Sequence, residues 1–158
     1  MNGKIVPDPV AQPENIHGTA ILIGERGVLI TGPSGTVKTT LALTLLGHCR
    51  ARGLFSRLIG DDRLLAAARA GRLVCRVPAP IAGLAEVPGF MPRPLPFEPG
   101  GVIDLHVRLV PKAEMARFQE EISEQVAGCP VPRIDLAERN AATALPAVMA
   151  RLSIAPFL

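Results

Sequence analysis

The sequence predicts a P-loop-containing α/β single domain with a mixed sheet and flanking helices. Three observations carry that reading. Apolar runs of strand length alternate with segments of helical spacing. A strand–loop–helix unit stands near the start, where Val28–Thr31 leads through a glycine-rich segment into Lys38–Arg52. The 158 residues fit one domain, and an apolar content of 48% suffices for its own core.

Residues 1–14 read as a flexible arm and residues 15–158 as the folded domain. Thr19–Ile23 is a short run of strand formers, Gly24-Glu25-Arg26-Gly27 a turn, and Val28–Thr31 a second strand. Lys38–Arg52 carries Leu41, Leu45 and Leu46 at helical spacing and stops at Gly53. Arg57–Gly60 and Leu73–Val77 read as strands, with the pair Asp61-Asp62 after the first. Two short apolar pieces flank Gly83, and residues 88–101, rich in proline and glycine, read as a loop. In Val102–Val110 the residues Ile103, Leu105, Val107 and Leu109 alternate with Asp104, His106 and Arg108, the pattern of a strand with one wetter face. Pro111 then opens a predicted helix through Met115, Phe118, Ile122 and Val126, ended by Gly128. An irregular stretch to Arg139 and a final helix over Ala141–Leu152, begun or interrupted at Pro146, complete the expectation.

Composition narrows the function classes. The net charge of +3 comes from scattered basic residues, and there is no Trp or Tyr, so a stacking platform for nucleic acid is not expected. Cys49, Cys75 and Cys129 are odd in number and far apart, which supports neither a zinc site nor a disulfide framework. They read as reduced, partly buried thiols. No apolar run reaches membrane-spanning length and residues 1–14 lack the apolar stretch of a signal peptide, so the expected compartment is the cytoplasm, without a membrane partner.

The segment Gly32-Pro33-Ser34-Gly35-Thr36-Val37-Lys38-Thr39 fits Gly-x-x-x-x-Gly-Lys-Ser/Thr except at Val37, where glycine is expected. Small residues let successive backbone N–H groups turn inward on an anion, and the helix start adds its positive dipole end. Lys38 is the expected ligand of the β- and γ-phosphates, and the Thr39 hydroxyl of Mg²⁺. Valine at position 37 is disfavoured if the backbone there needs φ > 0, and crowds the phosphate if only space is needed. A glycine-rich turn capping a helix is the plain structural alternative.

Further motifs follow in order: Ile16-His17-Gly18-Thr19, Ile59-Gly60-Asp61-Asp62-Arg63, Gly83-Leu84-Ala85-Glu86-Val87-Pro88-Gly89, and Asp104-Leu105-His106-Val107 before Ala116-Arg117-Phe118. The series resembles the C-terminal catalytic domain of HPr kinase/phosphorylase, in the short form without the N-terminal domain, over roughly residues 15–139. Pro88 stands where that family has arginine, and Phe90-Met91 replaces its Leu-Gly. The resemblance implies an HPr kinase/PEP carboxykinase-like fold that uses ATP, or pyrophosphate in some members, with Mg²⁺. It implies that Lys38 binds the transferring phosphate, Thr39 and Glu86 hold Mg²⁺, Asp61 deprotonates a serine hydroxyl on HPr, His17 assists, and Arg117 matches a later arginine. It implies a reverse reaction with inorganic phosphate, a role in regulating a phosphotransferase system, and a homo-oligomer, commonly a hexamer.

The chemistry has its own logic. A serine hydroxyl needs a carboxylate base, and a hard cation prefers oxygen ligands. The two aspartates can also divide the work, one as base and one on the metal or its waters. Each residue has a plainer role open to it: a strand-end turn and helix cap for Asp61-Asp62, a hydrogen-bonded structural histidine for His17, an exposed edge carboxylate for Glu86, and a helix-surface arginine paired with Glu120 or Glu121 for Arg117. His48 and His106 read as structural. Beside the kinase stand two other readings: a module that binds nucleotide or phosphate without transferring it, and a kinase for a small hydroxylated metabolite.

Overall fold

The computed structural model describes residues 12–34 and 37–157. Strands β1 (Glu14–His17), β2 (Thr19–Ile23) and β3 (Arg26–Thr31) precede helix α1 (Lys38–Ala51). Then come β4 (Ser56–Gly60), β5 (Arg63–Arg69), β6 (Arg72–Arg76), β7 (Leu84–Glu86), β8 (Pro92–Pro94) and the long β9 (Gly100–Val110). β10 (Ile122–Val126), β11 (Cys129–Ala137) and α2 (Ala141–Arg151) follow. Of the predicted arm, residues 1–11 lie outside the described residues, and pairing with β5 begins at Glu14.

Nine strands form one mixed sheet in the order β1-β5-β6-β9-β3-β2-β4, with the β10–β11 hairpin joined through β11 to β9. β9 runs parallel to β3 and β11, and its first half pairs antiparallel with β6. β7 and β8 form a separate two-stranded hairpin.

Connectivity forces this sheet to curl. β1 and β2 are five strand spacings apart in the order, yet only Gly18 links them. β4 and β5 are equally far apart and are linked by Asp61-Asp62 alone. In a flat sheet five spacings separate strands by about 24 Å. A one-residue link spans at most about 7 Å. The sheet therefore closes toward itself at one mouth, where the Gly18 amide donates to the Asp62 carbonyl at 3.1 Å.

Two cores result. On one face both helices pack on Ile21, Val28, Ile30, Leu58, Leu105, Val107 and Leu109, through Leu41, Leu45, Val148 and Met149. The other core lies within the curl and takes Ala20, Leu29, Ile59, Leu64, Ala66, Leu73, Cys75 and Ile103 from the strands. The mixed sheet with helices agrees with the expectation, with both helices on a single face. Cys49, Cys75 and Cys129 are buried thiols, and burial pushes that of Cys75 up to about 12. Among the described residues no helix is long and apolar enough to cross a membrane.

Several local expectations are corrected. The predicted helix from Pro111 to Val126 is only a short turn at Lys112–Glu114, an irregular stretch, and strand β10. The following residues, read as irregular, form β11. Ala127 and Gly128 both have positive φ, the signature of a tight hairpin turn that joins β10 to β11. Arg63–Arg69 is strand β5, and Pro92–Pro94 within the predicted loop pairs with β7. In β9 the partner of Gly27 is Ile103 and that of Val28 is Leu105, so Asp104 is an extra residue and the alternation reverses there. Ile103 therefore faces the inner core, whereas Leu105, Val107 and Leu109 face the helices.

A Cβ at Gly18 would lie 2.8 Å from the Ile30 carbonyl oxygen, whereas one at Gly47, on α1, would meet nothing within 4 Å. Gly18→Ala therefore lowers stability by about 2 kcal/mol in urea denaturation. Gly47→Ala raises it by about 1 kcal/mol, since it relieves glycine's entropy cost in a helix.

Candidate functional site

β3 delivers the chain to Gly32 and α1 begins at Lys38, so the glycine-rich segment lies between a strand end and a helix start, as read from the sequence. Gly35 and Thr36 lie outside the described residues. Lys38 is largely buried, and its ammonium group donates to the carbonyls of Gly32 at 3.0 Å and Pro33 at 3.3 Å. Val37 precedes the helix with φ 63° and ψ 35°, a left-handed conformation, and makes no side-chain cap. Of the two readings open for this position, the need for positive φ is therefore met. A β-branched residue held there carries strain of roughly 1–2 kcal/mol.

Asp61 is the hub of the mouth, at 5% exposure. Its Oδ1 accepts from the Thr19 hydroxyl at 2.7 Å and from the Asp62 amide at 3.1 Å. Its Oδ2 accepts from the Glu86 amide at 2.8 Å. The Thr39 hydroxyl donates across both oxygens, at 2.9 and 3.1 Å. One carboxylate thus joins the start of β2, the first turn of α1, the β4–β5 link and the end of β7. Thr19 is fully buried and was not among the predicted site residues. Its signal in the sequence is a hydroxyl immediately after His17-Gly18, at the head of an otherwise apolar strand.

Asp62 is the exposed member of the pair. Its side chain is 56% exposed, as is that of His17, whose Nδ1 lies 3.4 Å from Asp62 Oδ1. Asp62 has φ 72°, the left-handed region that aspartate tolerates better than most residues. The Glu86 side chain is exposed at the end of β7. Just beyond it, Val87–Phe90 makes a turn closed by the Phe90 amide on the Val87 carbonyl, so Pro88 lies at a bend.

A cavity of about 380 Å³ is lined by His17, Ser34, Val37, Lys38, Thr39, Asp61, Asp62, Glu86, Val87 and Pro88. A larger one, about 490 Å³, lies between α1 and Leu95-Pro96, mostly walled by aliphatic side chains. Volume alone does not choose a site. The smaller cavity holds the ammonium, imidazole and carboxylates, whose convergence marks a chemical site. Arg117 does not line it: its guanidinium lies 5.3 Å from the centroid of Phe118, and with Met115 and Gln119 it borders a small hollow beside α2.

His106 is buried and structural. It shares a 2.6 Å hydrogen bond with the Thr31 hydroxyl at the root of the loop, and its Nδ1 lies 3.2 Å from Glu124. Burial holds the imidazole below its ordinary pKa, against the opposing pull of Glu124. Burial works against the charge of Asp135, but Arg108 and Arg133 outweigh it and hold that carboxyl below the usual range.

No protein-family model matches this sequence, and none of the curated proteins does. The fold does have a solved relative in shape. A structure described as the HPr(Ser) kinase/phosphatase from Coxiella burnetii superposes with a TM-score of 0.73 at 21% identity, over 88% of this chain and 95% of that one. At that identity the likeness shows a shared fold.

Val37→Gly, which removes a β-branched side chain from a left-handed backbone, is expected to raise stability by about 1 kcal/mol, since strain relief exceeds glycine's unfolded-state entropy. Urea denaturation measures it, and an unchanged midpoint contradicts the strain assignment.

Proposed function

We propose that this chain is a Mg²⁺- and ATP-dependent phosphotransferase that phosphorylates a serine of HPr or a related phosphocarrier and removes the phosphoryl group with inorganic phosphate. The observation that carries the reading is the convergence of Lys38, Thr39, the two aspartates, His17 and Glu86 on one cavity at the mouth of the sheet. The fold shared with a protein described as an HPr(Ser) kinase/phosphatase supports the same acceptor class.

Under this reading residues 32–39 form the phosphate loop. Lys38 places its positive charge beside the loop carbonyls, within the cavity. The helix start at Lys38 and the left-handed turn at Val37 aim backbone dipoles toward an anion. The residues also fit a hard cation: Thr39 gives its hydroxyl proton to Asp61 and keeps lone pairs for a metal, and the Glu86 carboxylate lines the same cavity. Among the described residues no cluster of three or more His, Cys, Asp or Glu is assembled as a cage. Mg²⁺ needs only one or two protein oxygens, with water and phosphate completing its shell. Bound Mg²⁺ supplies charge neutralisation of the phosphates during transfer. His17 and the aspartates stand where an acceptor hydroxyl enters, and Arg117, beside α2, is left to an acceptor or neighbouring-subunit contact in a homo-oligomer.

A second reading is favoured by Val37 and Pro88. Strain in the loop and the absence of a cation at position 88 describe a module that binds nucleotide or phosphate without transferring it.

Incubation with Mg-ATP and HPr, followed by intact mass, tests the proposal. The expected result is a single phosphoryl adduct on HPr, formed about 100-fold or more slowly by Lys38→Ala. Nucleotide binding without any adduct contradicts transfer and selects the binding module.

A further inference from the structure

We propose that the cavity between α1 and Leu95-Pro96 is a second binding site, and that it takes a small molecule with an apolar body and one carboxylate, the class of a medium-chain fatty acid. It stands apart from the phosphotransferase reading, because it uses no residue of the mouth.

The walls of this cavity are apolar and fixed. Leu43 and Leu46 of α1, with Leu54, Leu95 and Pro96, line about 490 Å³. Small-molecule sites span about 300–1,000 Å³ and are lined mostly by such side chains. The wall opposite α1 is pinned to its neighbours. The Leu95 amide donates to the Gly83 carbonyl at 2.8 Å, and the Pro96 carbonyl accepts from the Leu58 amide at 3.1 Å. The Glu98 amide donates to the Leu58 carbonyl at 2.8 Å. α1 is anchored through Leu41, Leu45 and Cys49, which lie in the core beneath it. Neither wall closes on the other without breaking these contacts.

Gly47 keeps the space open. It lies inside α1, where glycine is disfavoured against every residue but proline. No close approach requires it there, since a Cβ at Gly47 would meet nothing within 4 Å. The same residue lines the cavity, so its missing side chain is part of the cavity's volume.

Charge then selects the ligand. The two charged side chains that line the cavity are both cationic, Arg50 in the last turn of α1 and Arg57 in β4, and no carboxylate lines it. Arg57 is already oriented: its guanidinium donates to the Ser56 carbonyl at 2.8 Å and lies 4.5 Å from the centroid of the Phe55 ring. A guanidinium has five donors in a planar fork that matches a carboxylate, so most of them remain for a ligand. Leucine walls leave the hydroxyls of a sugar or nucleotide without partners, whereas an apolar body loses nothing there.

Backbone amide NMR of the full chain titrated with octanoate tests the site. Saturable shifts are expected at Gly47, Leu54 and Ser56. Octanol, the same body without the charge, should bind about ten-fold or more weakly. Arg50→Gln combined with Arg57→Gln should weaken octanoate by about the same factor. Gly47→Leu should abolish binding while its urea midpoint stays at or above wild type, because leucine favours the helix. Lys38→Ala should bind octanoate as wild type does, since a rise of about 1.5 Å per residue puts Lys38 about 14 Å from Gly47 along α1. The proposal is overturned by octanoate that shifts no amide here or only those of the mouth, that binds Gly47→Leu as tightly as wild type, or that binds no better than octanol. Shifts at these amides that follow protein concentration or added HPr, with octanoate inert, also overturn it and make the groove a protein-docking surface. Each of these outcomes leaves the phosphotransferase reading standing, and a chain that transfers nothing to HPr leaves this site standing.

Discussion

The structure depends on closing a sheet across a gap that its own connections are too short to span flat. Gly18 and Asp61-Asp62 each join strands from opposite sides of the order, so the mouth must stay shut for the fold to exist. What closes it is the Asp61 carboxylate, buried with four neutral donors from four separate segments. A buried carboxylate without such donors is strongly penalised, whereas each hydrogen bond to a charged group contributes about 1.5–3 kcal/mol. The charge therefore orders the donors around it, and Gly18 lets the backbone approach without a clash against Ile30.

That closure places reactive groups with little help from the core. α1 enters the mouth through Lys38 and Thr39, and β7 brings Glu86 by its amide. Val37 and Asp62, two non-glycine residues of the cavity wall with left-handed backbone, differ in kind. At Asp62 the residue suits the conformation, whereas at Val37 it resists it. The loop keeps the backbone turn that glycine would favour, although glycine is gone. This is the behaviour of a local conformation imposed by its flanks: β3 through the Thr31–His106 bond, and α1 through Thr39 and Asp61.

Much of this was legible in the residues. The strand–loop–helix unit, the Lys38 start of α1, most of β9 and the last helix all followed from spacing, and His17, Lys38, Thr39, Asp61 and Glu86 line one cavity. Arg117 does not join them. The misses have physical causes. Arg63–Arg69 is alanine-rich and carries no strand propensity, yet small residues fit where β5 is covered on the inside of the curl. Met115, Phe118, Ile122 and Val126 keep helical spacing, but the turn at Ala127-Gly128 pairs the last two of them with β11, so tertiary pairing overrides the local pattern. The bulge at Asp104 reverses a face in mid-strand, which alternation cannot announce. The hub role of Asp61 was equally hidden, because its donors come from positions 19, 39, 62 and 86 and meet only after closure.

Amide hydrogen exchange on the wild type and on Asp61→Asn tests the hub most directly. In Asp61→Asn, protection is expected to fall at Gly18, Glu86 and the first turn of α1 while the β6–β9 pairing keeps its own. Equal protection of all these amides in the two proteins would contradict it, and would mean that the mouth is held by something other than this carboxylate.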